Sequence, residues 1–224
     1  MKMVAHVFTI TGVSPLLQAC PKGMAEEGAK KKPESNDPAE RKRLEAEALA
    51  YRLPSGQLYG PAVGLRRAIL YAAVGRKFTQ GKKQVSAPKI ARGGIFNEAG
   101  YEVCPLFDPD THEPIHNYEI DSQRAVNRNT GGAIMLHRPK VQPWATDLVL
   151  SIDEDLLSIE QVLVLLEVAG AIAGWGAFRP ERDGPYGRFR AAYKGALPTA
   201  AGEQEKRKPK ARASANERLR GVEV

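Results

Sequence analysis

Cysteine is scarce: Cys20 and Cys104 are the two thiols in 224 residues. Neither belongs to a C-x-x-C pair, which excludes a zinc ribbon, and two thiols are too few for a disulfide scaffold. A reducing compartment, the cytoplasm, is the expected location. Long apolar runs are missing too. Met1-Lys2-Met3-Val4 opens no extended apolar stretch, so no signal peptide is expected. The most apolar segment, 158–173, is short for a membrane span and contains Glu167. G-x-S-x-G, P-loop and dinucleotide-binding glycine patterns are absent. His112-Glu113-Pro114-Ile115-His116 has the letters of a zincin motif. Pro114 inside it and Pro109 upstream oppose the helix that would bring both imidazoles to one face. Asp108 and Asp110 lack EF-hand spacing and read as turn residues. No metal and no cofactor is expected. The case for an enzyme is weak, with His6, inside the first strand, as the single acid/base candidate.

Acid is missing from particular stretches rather than from the whole. The net charge is +7, from 33 Lys and Arg against 26 Asp and Glu. Between residues 52 and 97 there is no acid and there are nine cations: Arg52, Arg66, Arg67, Arg76, Lys77, Lys82, Lys83, Lys89 and Arg92. A second acid-free stretch, 122–146, holds Arg124, Arg128, Arg138 and Lys140. A third cluster, Arg179, Arg182, Arg188, Arg190 and Lys194, is opposed only by Glu181 and Asp183. Acids collect at 98–121 and 147–167. Such segregation can build one positive and one negative face, and a positive face attracts phosphates with release of counterions. Arginine dominates these stretches and suits both phosphate and base stacking.

Hydrophobic residues make up 42% and charged residues 26%, which rules out a wholly disordered chain. The length fits one domain, 1–194, followed by a disordered basic tail, 195–224. Residues 4–11 alternate and are β-branched, so they read as a strand. Residues 19–52 look inserted: a polar loop with the Lys30-Lys31-Lys32 run, then a short charged helix opened by Asp37-Pro38. Pro61 opens a second helix to about Val74, with Leu65, Ile69 and Ala72/Ala73 as its apolar stripe and Gly75 as its stop. A basic loop, 76–92, and a strand region, 94–103, follow. Segment 107–143 reads as a long loop with one strand-like piece at 133–136. Residues 146–152 alternate again. Ser158 and Gln161 make a capping box for a helix that is apolar almost all round and therefore buried. A final strand is expected over 187–193. Stripped of insertions, the order is that of a split βαβ: an α+β, ferredoxin-like (RRM-like) core with one sheet face left open.

The strongest local signal is Ala173-Gly174-Trp175-Gly176 followed by Gly184-Pro185-Tyr186-Gly187-Arg188-Phe189. Glycines let a backbone approach phosphates and present N–H groups to them. Aromatics interleaved with Arg179, Arg182, Arg188 and Arg190 suit a single strand. Trp175 and Phe189 read equally well as core.

Three segments resemble the CRISPR-associated RAMP superfamily, especially its guide-coating backbone subunits. They are Thr11-Gly12-Val13-Ser14-Pro15-Leu16-Leu17, the stretch from Leu58 to Ala68 containing Gly60-Pro61-Ala62-Val63-Gly64, and the glycine-rich run from Ala173 to Gly187. The resemblance implies an RRM-like core, a protruding thumb hairpin within 107–143 and repeated copies along an RNA. It places Arg66 and Arg67 near the guide backbone.

The expected function is single-stranded nucleic-acid binding, RNA before DNA, in an oligomeric ribonucleoprotein with no membrane partner. Phosphates would be held by Arg66, Arg67, Arg76, Lys77, Arg124, Arg128, Arg179, Arg182 and Arg188, with Gly174, Gly176 and Gly184 allowing close approach. The rivals are a metal-independent RNA endonuclease of the same superfamily, a phage or plasmid single-stranded-DNA-binding protein, and an assembly protein whose basic face meets acidic partners.

Overall fold

The computed structural model describes residues 2–21, 36–80, 82–126 and 131–198. The Lys30-Lys31-Lys32 run, Arg128 and nearly all of the expected tail lie outside the described residues. In chain order the elements are β1 (Met3–Gly12), β2 (Leu16–Leu17), α1 (Pro38–Ala48), β3 (Tyr59–Pro61), α2 (Ala62–Ala72), β4 (Lys77–Gln80), β5 (Lys83–Ser86), α3 (Ala87–Gly94), β6 (Ile95–Asn97), β7 (Val103–Pro105), β8 (Glu119–Val126), β9 (Ala133–Val141), β10 (Ala145–Asp153), α4 (Ile159–Ile172) and β11 (Phe189–Ala196). The protein is therefore a mixed α+β fold.

The main sheet has the order β11–β1–β10–β6, with every neighbouring pair antiparallel. Helix α2 lies in sequence between β1 and β6, and α4 between β10 and β11. Phe8 and Ile10 of β1 and Leu148, Leu150 and Ile152 of β10 join Leu65 and Ile69 of α2 and Leu165, Leu166 and Ala169 of α4 in one core. Alternation along the strands and the apolar stripe of α2 direct these side chains to the same layer. The capping box of α4 forms in full: Ser158 Oγ accepts from Gln161 N, and Gln161 Oε1 accepts from Ser158 N.

Several expectations need correction. Residues 76–92 are not a loop. They form the β4–β5 hairpin and the start of α3, because Phe78 and Val85 face each other across the ribbon and pack on the core. Segment 119–141 carries two long paired strands, β8 and β9, where residue pattern alone marked one short piece at 133–136 and the resemblance implied a hairpin, with register from Glu119↔Lys140 to Val126↔Ala133. Helix α4 is not buried all round: Val164 and Ile172 are 49% and 48% exposed. Pro61 ends β3 and caps α2 rather than starting it. Nor is the second sheet face bare. Tyr101, Val103, Pro105 and Phe107 line a cleft with Val7, Val149 and Lys194 on it, and Val149 is buried although it points away from the helices. His112 lies in coil with φ 59°, so the H-E-x-x-H letters are not helical. Among the described residues no helix is long and apolar enough to cross a membrane.

Candidate functional site

The two tryptophans organise one end of the molecule. Trp144, just before β10, and Trp175, just after α4, tilt against each other with ring centroids 5.6 Å apart. Trp144 Nε1 donates to Ser14 O and Trp175 Nε1 to Pro61 O. Glycine is needed where these rings sit. A Cβ at Gly60 would lie 2.2 Å from Trp175, and one at Gly12 would lie 2.3 Å from Trp144. Trp175, whose sequence setting fits core and binding equally, is core at 2% exposure, and its role is to hold the exit of β1, the start of α2 and the glycine-rich turn together.

Those three segments enclose a cleft of about 580 Å³. Leu16, Leu17, Gln18 and Ala19 form one wall; Gly60, Pro61, Val63, Gly64 and Arg67 form the second; Gly174, Trp175, Gly176, Ala177 and Arg179 form the third. Tyr51 closes the edge, and its N–H donates to Gln18 Oε1 while Gln18 Nε2 donates to Tyr59 O. Gln18 and Tyr51 were missed in the sequence, since nothing in their spacing marks them.

Helix α2 begins at this cleft. Pro61 at its N-cap supplies no side-chain bond, and the Ala62 N–H is taken by Glu102 O. The Val63 and Gly64 N–H groups fall in the first turn, ahead of the intrahelical ladder. Free N–H groups at a helix start carry partial positive charge and suit an anion. Arg67 lies four residues after Val63, hence on the same face one turn on, and it is exposed with no ion pair among the described residues.

The other arginines divide. Arg66 turns away: its Nε donates to Ile95 O at 2.7 Å and its guanidinium covers the Phe96 ring at 5.3 Å, so it fastens α2 to β6. Arg179 lines the cleft but is engaged, with Nε and Nη2 donating to Glu181 and Nη1 to Gly176 O. Arg182 and Arg188 are exposed on the glycine-rich turn, one on each side of Gly184. Arg124 points to the hairpin face opposite Asp121 and Gln123, and those two hold Tyr186 Oη of the turn. Arg138, paired in register with Asp121, stands over the Phe178 ring at 5.6 Å. Arg76 and Lys77 are not at the cleft. They follow the C-terminal end of α2, and Arg76 Nε donates to Ala72 O. Eleven helical residues separate the two ends by about 16 Å. The single positive face expected from the sequence is thus two separate regions.

The three glycines named as phosphate-approach positions serve the chain's own packing. Gly174 and Gly176 take φ of 69° and 84°, a left-handed backbone that side chains resist, and Gly176 lies against Leu17 O. A Cβ on Gly184 would come within 1.8 Å of Phe178 O. His6 is 2% exposed, with Nδ1 3.0 Å from Tyr193 Oη and Nε2 3.2 Å from Glu154. It lies six residues before Gly12 on β1, about 20 Å from the cleft end. Both thiols are free and buried, and burial pushes the Cys104 thiol up to about 12.

No protein-family model matches the chain, and no curated protein matches it.

Proposed function

We propose that this protein binds single-stranded nucleic acid, RNA before DNA, across the tryptophan-floored cleft, and that it is a RAMP-like subunit laid in multiple copies along the strand. The observation that carries the reading is convergence. The three segments that resemble the RAMP superfamily lie far apart in the chain and line one cleft. The strand order β11–β1–β10–β6, with α2 and α4 as its two crossing helices, supports a ferredoxin-like core.

The chemistry of the cleft suits a phosphodiester. The Val63 and Gly64 N–H groups meet one phosphate, and Arg67 supplies the charge. Arg182 and Arg188 extend the positive rim along the turn. Arg179, bound to Glu181 and Gly176 O, shapes the turn rather than offering a free cation.

The test starts with the A260/A280 ratio of the purified protein and digestion of any co-purifying nucleic acid with RNase or DNase. Discrete RNA with a large assembly supports the reading, and a clean monomer without nucleic acid opposes it. Affinity for a 30-nucleotide single-stranded RNA is then measured against salt. Arg67→Ala should lower the salt slope by about 0.7, one single-strand phosphate. An unchanged slope removes Arg67 from the interface.

A further inference from the structure

The β4–β5 hairpin and α3 carry a second basic surface, at the opposite end of α2 from the cleft. Arg76, Lys77, Lys82, Lys83, Lys89 and Arg92 are all exposed. None makes an ion pair among the described residues. The acids of the turn beside it are already engaged. Gln80 Nε2 donates to Leu156 O, which sets the hairpin beside the turn at 153–155. There Asp153 accepts from the Lys2 and Asp155 N–H groups, and Glu154 accepts from Lys2 Nζ.

The build of this surface differs from that of the cleft. Pairing places Lys77 opposite Ser86 and Thr79 opposite Gln84. These four share one face of the ribbon, while Phe78 and Val85 turn to the core from the other. The outward face therefore offers one cation and three neutral hydrogen-bonding side chains. Lys82 stands at the tip, Lys83 pairs with Gln80 on the same side as Phe78 and Val85 but is exposed beyond them, and Lys89 and Arg92 are one turn apart on α3. The large hydrophobics Phe78, Val85 and Ile90 are turned to the core, so the ribbon offers no aromatic platform for an unpaired base.

We propose that this ribbon is a second nucleic-acid contact, specific for duplex DNA. A surface of cations and neutral donors without stacking groups matches what a duplex shows on its outside, which is phosphates. A two-stranded ribbon is also of a width that the B-form major groove admits, whereas the A-form major groove is too narrow and deep. The inference builds on the nucleic-acid reading of the cleft but concerns a different strand. The cleft takes a single strand, and the ribbon holds a duplex beside it.

The test measures anisotropy of three labelled probes on the full chain: a 20-base-pair DNA duplex, an RNA duplex of equal length and a 30-nucleotide single-stranded RNA. The variant Lys82→Ala/Lys83→Ala/Lys89→Ala changes exposed side chains only, and an unchanged thermal midpoint verifies its fold. It should bind duplex DNA roughly tenfold more weakly, with the salt slope lower by about 2.7 if each lysine neutralises one phosphate. Its affinity for single-stranded RNA should stay within about twofold, and the RNA duplex should bind the native protein more weakly than DNA does. Unchanged duplex affinity overturns the proposal. Equal losses for duplex and single strand overturn it too, because they would make the ribbon part of the single-strand path. Equal affinity for the two duplexes overturns the assignment to DNA. Failure of the native protein to bind single-stranded RNA would defeat the cleft reading alone, since the duplex probe reports on the ribbon by itself.

Discussion

The glycine-rich cleft and the β4–β5 ribbon lie at opposite ends of α2, and they use charge in opposite ways. At the cleft, much of the positive charge is absorbed by the fold. Arg179 is held by Glu181 and a carbonyl, and Arg138 stands over Phe178. Arg67 beside the start of α2, with Arg182 and Arg188 on the turn, remains exposed. At the ribbon, among the described residues, Arg76 is the one cation whose side chain is engaged, through Ala72 O. The backbone contrasts as well. Gly184 is wedged against a neighbouring carbonyl, whereas a Cβ on Gly75, just before the ribbon, would meet nothing within 4 Å. A shaped cleft selects by geometry, and a free ribbon attracts by charge. Salt should weaken the ribbon's binding more than the cleft's, because counterion release is most of what a flat cationic surface offers.

Substitutions can break this contrast, and the largest effect should come from the glycines. Gly184→Ala puts a methyl 1.8 Å from Phe178 O, where backbone must move. About 3 kcal/mol of destabilisation is expected in urea unfolding. Gly75→Ala keeps its left-handed φ of 76° in open space, and about 1 kcal/mol is expected. Equal losses would show that the turn is not tightly packed. Next, adjacent arginines should separate stability from binding. Arg66→Ala loses the bond to Ile95 O and the Phe96 contact, about 1–2 kcal/mol, with single-strand affinity kept. Arg67→Ala should do the reverse.

Thiol labelling sharpens the packing claim. The Cys104 thiol, pushed up to about 12 by burial, should stay unreactive to an aromatic disulfide at pH 8 until the chain unfolds. Prompt native labelling of Cys104 would mean that the core beneath β7 is open. The smallest effect concerns pH. Hydrogen bonds from Arg52 hold the Glu47 carboxyl below its ordinary 4.5. Its contribution to anchoring α1 is therefore complete above that pH and lost as the pH falls through the depressed value. The thermal midpoint of the native protein should exceed that of Arg52→Ala at pH 7, and the gap should narrow near pH 3.

Local signals in the sequence located the elements well. Ser158 and Gln161 marked the start of α4, Asp37-Pro38 marked α1, and Leu65, Ile69 and Ala72 marked the buried stripe of α2. Alternation marked β1 and β10. Long-range consequences were harder to read. Phe78 and Val85 make a hairpin only because the core accepts them, and a lysine-rich surround hid that pairing. Strands β8 and β9 were obscured by Pro139 and polar residues such as Gln123 and His137. At the site, Arg67 was legible from its neighbourhood of small residues, but its separation from Arg66 depends on where Ile95 O lies. Gln18 and Tyr51 join the cleft through contacts that no spacing encodes.

Photocrosslinking tests the central claim most directly. Single-stranded RNA bearing 4-thiouridine is crosslinked to the full chain and the attached peptides are mapped. Attachment is predicted at Tyr51 and within 174–188, weakened in Arg67→Ala. Crosslinks confined to 76–92, with none on the cleft walls, would contradict it.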